Sequence, residues 1–234
     1  MKVTVVIIYI FLLFAAKSYA KEVIMLGVEN SWPPYSDSDG NGISKDIITK
    51  AFRAVELEVE FVVLPYARAL KMTKDGILDG AFNVTKQIST IKQFNFHDVP
   101  FLKASASFYY PPNSSLDYQR LADIPDDIII GLIIGYEYGD DYEKHRQRFN
   151  EVRLAKQSQI IEMLQSKRID MAIMFDEVAA YSLQQLNLSS SVIKQGAINH
   201  ISDIYIAFSK SRDTDNIIKA FESGLKKLNN EAVY

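Results

Sequence analysis

The chain has 234 residues, with 26 basic and 29 acidic side chains, a formal charge of −3 and no cysteine. The absence of cysteine excludes zinc sites built on thiolates and catalysis by a cysteine nucleophile. The small acidic excess argues against nucleic acid or an anionic membrane surface as a partner.

The first twenty residues, "MKVTVVIIYIFLLFAAKSYA", predict a secretory signal peptide. Lys2 precedes an apolar run from Val5 to Ala16, and the small residues Ser18 and Ala20 mark a cleavage site after Ala20. The run is shorter than the ~20 residues that a membrane-spanning helix needs, so a retained anchor is the less favoured alternative. Removing the segment takes away two lysines and no acid, which moves the formal charge to −5. We therefore expect a periplasmic protein.

Short apolar strands alternate with amphipathic helices along the rest of the chain, a pattern typical of an α/β protein with mostly parallel strands. The predicted strands are 22–28, 59–64, 79–84, 128–134 and 169–175, and the predicted helices are 44–56, 158–168, 176–186 and one that begins near Pro65. A C-terminal helix is also predicted, with Ile217, Ile218, Phe221, Leu225 and Leu228 on its apolar face. An apolar residue and an aspartate, Asp79 or Asp170, precede the last buried strand of each half. The chain therefore contains two similar units.

The repeated unit predicts two lobes of similar build rather than one continuous sheet. The segment 105–127, a strand followed by a loop rich in Pro, Asn and Ser, would carry the chain to the second lobe, and the strand 203–210 would carry it back. We assign residues 21–107 with 205–234 to lobe 1 and residues 108–204 to lobe 2. Two crossings between lobes predict a hinge.

Five segments, in order, resemble one known family, the family-3 extracellular solute-binding proteins. The segments are "ENSWPPYSDSDGNGISKDIITKAF", "GILDGAFNVT", "FNFHDVPF", "LADIPDDIIIGLIIGYEYG" and "MLQSKRIDMAIMFDEVAAY". Members of this family are two-lobed receptors that deliver polar solutes to bacterial ABC importers. The resemblance implies a type II periplasmic-binding-protein fold, a small-molecule ligand between the lobes, a membrane permease as partner, a monomeric state and no cofactor.

The chain departs from this family at the positions that hold an amino-acid ligand. Where the resemblance places an arginine for the ligand carboxylate, the chain has Thr90. Where it places an aspartate for the ligand ammonium group, the chain has Phe175, followed by Asp176. A hydroxyl group cannot replace a bidentate guanidinium clamp. We therefore expect a ligand other than an ordinary α-amino acid.

Ligands of open α/β sheets bind beyond the carboxyl ends of the strands, so the segments that follow each strand predict an aromatic-lined binding cleft. The candidate ligand-binding residues are Trp32, Tyr35, Tyr66, Arg68, Asn83, Thr85, Tyr136, Tyr138, Phe175 and Asp176. Glu137 adds a polar group to the same segments.

Several of these residues have a purely structural alternative. Trp32 and Tyr35 could close the end of the sheet, and Tyr136 and Tyr138 alternate, so that only one of them reaches the cleft. Asp176 could be the N-cap of the helix that follows it. Arg68, on a predicted helix, could be a surface residue or could replace the missing carboxylate clamp.

The segment 37–48 fits the first half of a calcium-binding loop, but Ile48 stands where a bidentate glutamate is needed. A glycine-rich hairpin, with Ser44 capping the next helix, is the favoured interpretation. His97, His145 and His200 are widely spaced, which argues against a metal site or a catalytic histidine.

No standard hydrolase, nucleotide-binding or metalloprotease motif is present, which favours a binding protein over an enzyme. Two alternatives stay open. One is an enzyme on the same two-lobed scaffold, such as a dehydratase of a cyclic acid, with Glu137 and Asp176 as candidate acid or base. The other is a secreted sensory or scavenging protein.

Overall fold

The computed structural model describes residues 23–231, so the expected signal peptide lies outside the described residues. The strands are β1 (Ile24–Glu29), β2 (Val59–Leu64), β3 (Gly80–Thr85), β4 (Phe94–Phe96), β5 (Leu102–Tyr110), β6 (Ile129–Ile133), β7 (Asn150–Leu154), β8 (Met171–Phe175) and β9 (Lys194–Ser209). The helices are α1 (Ile43–Arg53), α2 (Tyr66–Lys74), α3 (Ile88–Ile91), α4 (Asp140–His145), α5 (Gln157–Gln165), α6 (Asp176–Gln185) and α7 (Asp215–Glu231). Within residues 23–231, no helix combines the length and apolar character needed to cross a membrane.

Two halves of the sheet have matching topology. In the first half β1 pairs in parallel with β2 and β3, and in the second half β6 pairs in parallel with β7 and β8. Helices connect these parallel strands in the chain order, as is typical of βαβ units. The predicted α/β class with two similar parallel units is confirmed.

The two aspartates of the repeated unit have the same structural role. Asp79 Oδ2 accepts a hydrogen bond from the Met25 N–H at 2.8 Å, and Asp170 Oδ2 accepts one from the Ile129 N–H at 2.8 Å. Each carboxylate thus bonds a backbone donor at the start of the neighbouring parallel strand. The sequence similarity between the two units reflects this shared contact.

The strands β5 and β9 join the two halves by pairing with each other in antiparallel orientation. The resulting strand order is β2-β1-β3-β9-β5-β8-β6-β7, with β4 paired to β9. Hydrogen bonds therefore join the strands of both halves into one continuous sheet, where the sequence predicted a separate sheet for each lobe. The reason is that both connecting segments are extended, and their backbone donors and acceptors are satisfied by each other.

Two strands, β4 and β7, and the first part of a third, β9, were not predicted. The strand β7 has the sequence "NEVRL", with polar and charged residues at three of its five positions, and it lies at the edge of the sheet. Edge strands tolerate this composition because one side of the strand is unpaired. Without an apolar run, the sequence carries no strand signal there.

The loop before α1 is a tight turn. Asp37 Oδ1 accepts hydrogen bonds from the backbone N–H groups of Asp39 and Asn41, both at 2.9 Å. Gly42 is the N-cap with φ 144°, and a Cβ there would lie 2.4 Å from the Tyr35 carbonyl oxygen. The predicted cap at Ser44 is wrong, because the chain enters α1 two residues earlier.

The C-terminal helix α7 packs against α1 in the first half. The rings of Phe52 and Phe221 lie 5.2 Å apart, centroid to centroid. A Cβ on Gly224 would lie 2.0 Å from the Ala51 carbonyl oxygen, so the two helix backbones touch at this glycine. The chain therefore passes to the second half in β5 and returns in β9.

Replacing Gly224 by Ala is expected to destabilise the protein. The added methyl group forces α7 away from α1, and overpacking of this kind costs about 1–3 kcal/mol. The gain in helix propensity from Gly to Ala is smaller, about 0.5–1 kcal/mol. Urea unfolding would measure the change, with the exposed neighbour Ser223→Ala as the control. A Gly224→Ala variant as stable as Ser223→Ala would contradict this packing.

Candidate functional site

A small cavity lies between the two halves, at the carboxyl ends of the parallel strands. Its walls are Glu29, Trp32, Tyr66, Asn83 and Thr85 from the first half and Tyr136, Glu137 and Phe175 from the second. The cavity has a volume of about 10 Å³, which is about the space of a single water molecule. A larger solute can enter only if the halves separate or the lining side chains rotate.

Aromatic rings from opposite halves meet in this cavity. The Trp32 and Phe175 rings lie edge to face with centroids 5.1 Å apart, and so do the Tyr66 and Tyr136 rings, also at 5.1 Å. Edge-to-face pairs of this kind contribute about 0.5–1.5 kcal/mol each beyond their burial. The ring contacts therefore stabilise the closed arrangement of the halves.

Two tyrosine–glutamate hydrogen bonds also cross between the halves. The Tyr66 hydroxyl donates to Glu137 Oε2 at 2.6 Å, and the Tyr136 hydroxyl donates to Glu29 Oε1. Each half supplies one tyrosine and one glutamate, so the two bonds are reciprocal. Hydrogen bonds that involve an ionised carboxylate are stronger than neutral ones.

Burial strongly perturbs both carboxyl groups. It raises the pKa of Glu29 from 4.5 to about 8; the hydrogen bond from Tyr136 opposes the rise, and the charge of Glu137 adds to it. Burial likewise raises the pKa of Glu137 to about 7, against the opposing hydrogen bond from Tyr66. The site thus holds two acidic groups that are costly to ionise while the halves are closed.

Three buried polar atoms in the cavity wall have no hydrogen-bond partner among the described residues. They are Trp32 Nε1, Asn83 Oδ1 and Thr85 Oγ1. Asn83 has φ 66°, and its Nδ2 donates to Ser36 Oγ at 3.0 Å, which fixes the orientation of its amide. An unsatisfied buried polar group costs about 1–3 kcal/mol, so three around one cavity favour a polar occupant, either a water molecule or a polar group of a ligand.

Six of the ten predicted site residues line this cavity: Trp32, Tyr66, Asn83, Thr85, Tyr136 and Phe175. Tyr35 lies behind them, with its ring 4.3 Å from that of Trp32. Tyr138 lies outside the lining, and its hydroxyl accepts a hydrogen bond from the Ile133 N–H at 2.7 Å. Of the two alternating tyrosines, only Tyr136 reaches the cavity, which was one of the alternatives that the sequence left open.

Arg68 and Asp176 do not line the cavity. Arg68 is exposed on α2, two residues after Tyr66, and residues two apart on a helix do not share a face. Asp176 accepts hydrogen bonds from the Tyr109 hydroxyl at 3.0 Å and from Gln195 Nε2 at 3.2 Å. It is also not the N-cap of α6, because that position belongs to Phe175.

Thr90 is a structural residue. Its hydroxyl donates to the Thr85 carbonyl oxygen at 2.7 Å and accepts a hydrogen bond from the Gln87 N–H at 3.0 Å. Both contacts form the start of the short helix α3. The position where the resemblance implied a carboxylate clamp therefore has no group aimed at a ligand.

Sequence reasoning missed one residue of the cavity lining. Glu29 is 1% exposed although it carries a carboxyl group, and an acid as the last residue of a buried strand was a usable signal. His200 lies outside the lining; its ring is 5.9 Å from that of Phe175, and burial lowers its pKa to about 4. His200 lies in the unpredicted part of β9. Among residues 23–231, no group of three potential metal ligands comes together.

Comparison with known proteins identifies the fold. No protein-family model and no curated protein sequence matches the chain. An amino acid ABC transporter substrate-binding protein from Streptococcus pneumoniae, AbpA, bound to L-arginine, has a TM-score of 0.73 at 18% identity, over 91% of each chain. A histidine kinase sensor domain with similarity to periplasmic binding proteins has a TM-score of 0.75 at 16% identity, over 91% of this chain and 92% of its own.

The chain has the periplasmic-binding-protein fold. A third structure with this fold is an ancestral amino-acid-binding protein, AncCDT-1, described as a precursor of cyclohexadienyl dehydratase; it has a TM-score of 0.71 at 15% identity over 90% of this chain and 91% of its own. The two-lobed fold expected from the sequence is confirmed. Identities this low show the fold alone, and the three neighbours differ in role, so function must be argued from the site.

Replacing Glu29 by Gln should change how stability depends on pH. The folded protein binds the Glu29 proton more tightly than the unfolded chain does. Below pH 4.5 the carboxyl group is protonated in both states, and its contribution to the free energy of unfolding is at its maximum. As the pH rises to about 8, the unfolded chain releases the proton more readily, so this contribution is lost. Glu29→Gln has no such loss. We expect its stability relative to wild type to grow by a few kcal/mol over this range.

Urea unfolding of both proteins at several pH values between these limits would measure the difference. The exposed Glu60→Gln, also in the first half, is the matched control and should show a difference that does not vary with pH. A pH-independent difference for Glu29→Gln would mean that this carboxyl group is not buried as described.

Proposed function

We propose that the chain is an extracytoplasmic solute-binding protein that captures a small organic solute between two lobes for an ABC importer. The observation that supports this proposal most strongly is the cavity between the two halves. Aromatic rings from both halves line it, two tyrosine–glutamate hydrogen bonds cross it, and three buried polar atoms of its wall have no partner among the described residues. The role of AbpA as a transporter substrate-binding protein supports the same proposal. The segment 1–20 would direct export, and the closed protein, a monomer, would be recognised by a permease.

The proposed lobes are residues 21–107 with 205–234, and residues 108–204. The hinge lies in the β5–β9 pair, whose register shifts between Ala106 and Ser107 and again between Ser107 and Tyr109. Such irregularities allow a strand to bend. A solute favours closure only as far as it binds the closed state more tightly than the open one.

Solute binding should raise the unfolding temperature. A screen of amino acids, polyamines, short peptides and organic acids would identify ligands, and one at a hundred times its Kd should add about 2.7 kcal/mol of stability. Trp32→Leu should lose this shift, because the ring forms a wall of the cavity. Phe221→Leu is the control: it removes a buried ring from the α1–α7 interface, so it lowers the midpoint but keeps the shift. Equal shifts in both variants would contradict the site.

A second candidate is an enzyme on the same scaffold. The observation that favours it is Glu137, which is partly buried in the cavity wall and has a pKa raised by burial to about 7, a value suited to a general acid or base. The description of AncCDT-1 as a precursor of cyclohexadienyl dehydratase supports this candidate. We favour binding without turnover, because the glutamate is already engaged by Tyr66.

Incubating the protein with each ligand that the screen identifies would separate the two candidates. We expect the ligand to be recovered unchanged, as judged by mass spectrometry. Conversion of the ligand that disappears in Glu137→Gln but persists in Glu60→Gln would establish the enzyme instead.

A further inference from the structure

The cavity wall carries two carboxyl groups and no basic side chain, and this charge pattern favours one class of ligand. We propose that the site takes a small organic cation without a carboxylate, an alkylamine or a guanidinium compound, held by Glu29 of one half and Glu137 of the other. This inference rests on the proposed solute-binding function and specifies its ligand.

The lining contains two carboxyl groups and no basic side chain. Of its eight residues, Glu29 and Glu137 are acidic and the other six are neutral. Arg153 lies at the edge of the site, with its guanidinium 6.0 Å from the centroid of the Tyr138 ring, but its Nε donates to Glu151 at 2.8 Å. Arg153 lowers the pKa of Glu137, but it lies outside the lining and is paired with Glu151, so no basic residue of the cavity wall neutralises the two carboxyl groups. A cationic solute would do so.

The hydrogen bonds of the closed cavity show where the cation would bind. Glu29 and Glu137 accept hydrogen bonds from Tyr136 and Tyr66, which are neutral donors. An ammonium or guanidinium group is a stronger partner for a carboxylate than a phenol is. When the halves open, a cation would take the place of the two hydroxyl groups, one carboxylate on each side. The cation would thereby stabilise the closed state by attracting the Glu29 carboxylate of one half and the Glu137 carboxylate of the other.

The rings and the unpartnered atoms of the wall suit the same ligand. Trp32, Tyr66, Tyr136 and Phe175 present aromatic faces or edges to the cavity, and cations bind favourably over such faces. Two of the three unpartnered atoms, Asn83 Oδ1 and Thr85 Oγ1, are acceptors that can take an N–H donor of a ligand.

The wall contains no cationic group suited to a ligand carboxylate. Thr90 is engaged in α3, and Arg68 is exposed and outside the lining. A carboxylate placed in the cavity would instead meet Glu29 and Glu137, which would repel it. The site therefore selects against anionic solutes as well as for cations.

The test uses four probes of similar length and different charge. Agmatine is cationic and has no carboxylate, and arginine is agmatine with a carboxylate added. Citrulline is arginine with a neutral urea group in place of the guanidinium, and glutarate is an anion. Isothermal titration of the folded protein should show binding of agmatine at least as tight as that of arginine, and at least about tenfold weaker binding of citrulline and glutarate.

Two variants and a control connect the result to the proposed residues. Glu29→Gln and Glu137→Gln should each weaken agmatine binding by at least about tenfold, since each removes one charge partner of the cation. Glu60→Gln removes the same charge from an exposed position in the first half and should leave the affinity unchanged. Circular dichroism checks that each variant is folded.

Proton release gives a second readout. Glu29 and Glu137 have pKa values raised by burial to about 8 and about 7, and a cation binds their ionised forms. Agmatine binding should therefore release protons near neutral pH, and the measured heat should depend on the ionisation enthalpy of the buffer. This dependence should shrink in both glutamine variants.

The outcomes separate the ligand class from the broader proposal. Binding of glutarate or citrulline without agmatine would overturn the cation and leave a solute-binding protein. Agmatine affinity unchanged in Glu29→Gln and Glu137→Gln would also overturn it. If no solute of the thermal screen or of the four probes binds, both the cation and the solute-binding function fail.

Discussion

The antiparallel pairing of β5 with β9 is the constraint on which the rest of the structure depends. It is the only ladder by which the two parallel halves, within the described residues, are hydrogen-bonded to each other. Any separation of the halves must bend these two strands. The register shifts near Ser107 place the weakest part of the ladder close to the level of the cavity, where β5 also pairs with Phe175 of β8. Bending there would move Phe175 away from Trp32 without breaking either parallel sheet.

The closed cavity combines favourable and unfavourable interactions. The ring pairs and the hydrogen bonds of Tyr66 and Tyr136 stabilise the closed state. Burial of Glu29 and Glu137 destabilises that state when their carboxyl groups are ionised. A protein that closes only in response to a solute needs such a balance, because a closed state that is already strongly favoured leaves the solute little equilibrium to shift. The two acids would thus serve both to limit closure in the absence of solute and to bind the solute that completes it.

The sequence predicted those parts of the structure that local pattern determines. Strands with apolar runs were found, and so were Trp32 and Tyr66, because ligand sites of α/β proteins lie where the strands end. The sequence could not show that Arg68 faces away from the cavity, since that depends on the rotation of α2 about its axis. Nor could it show that Thr90 bonds the Thr85 carbonyl, a contact that exists only once α3 has folded back on β3. Glu29 was overlooked because a single acid at a strand end is usually solvated.

Three proteins of the same fold, a transporter component, a kinase sensor domain and the ancestor of a dehydratase, show that the two-lobed scaffold does not determine function. In this chain the cavity wall carries two carboxyl groups and no basic residue, which is a costly arrangement for an empty cavity and a favourable one around a positive ligand. The chemistry of the cavity wall, and not the fold, is therefore the part of this structure that specifies its biological role.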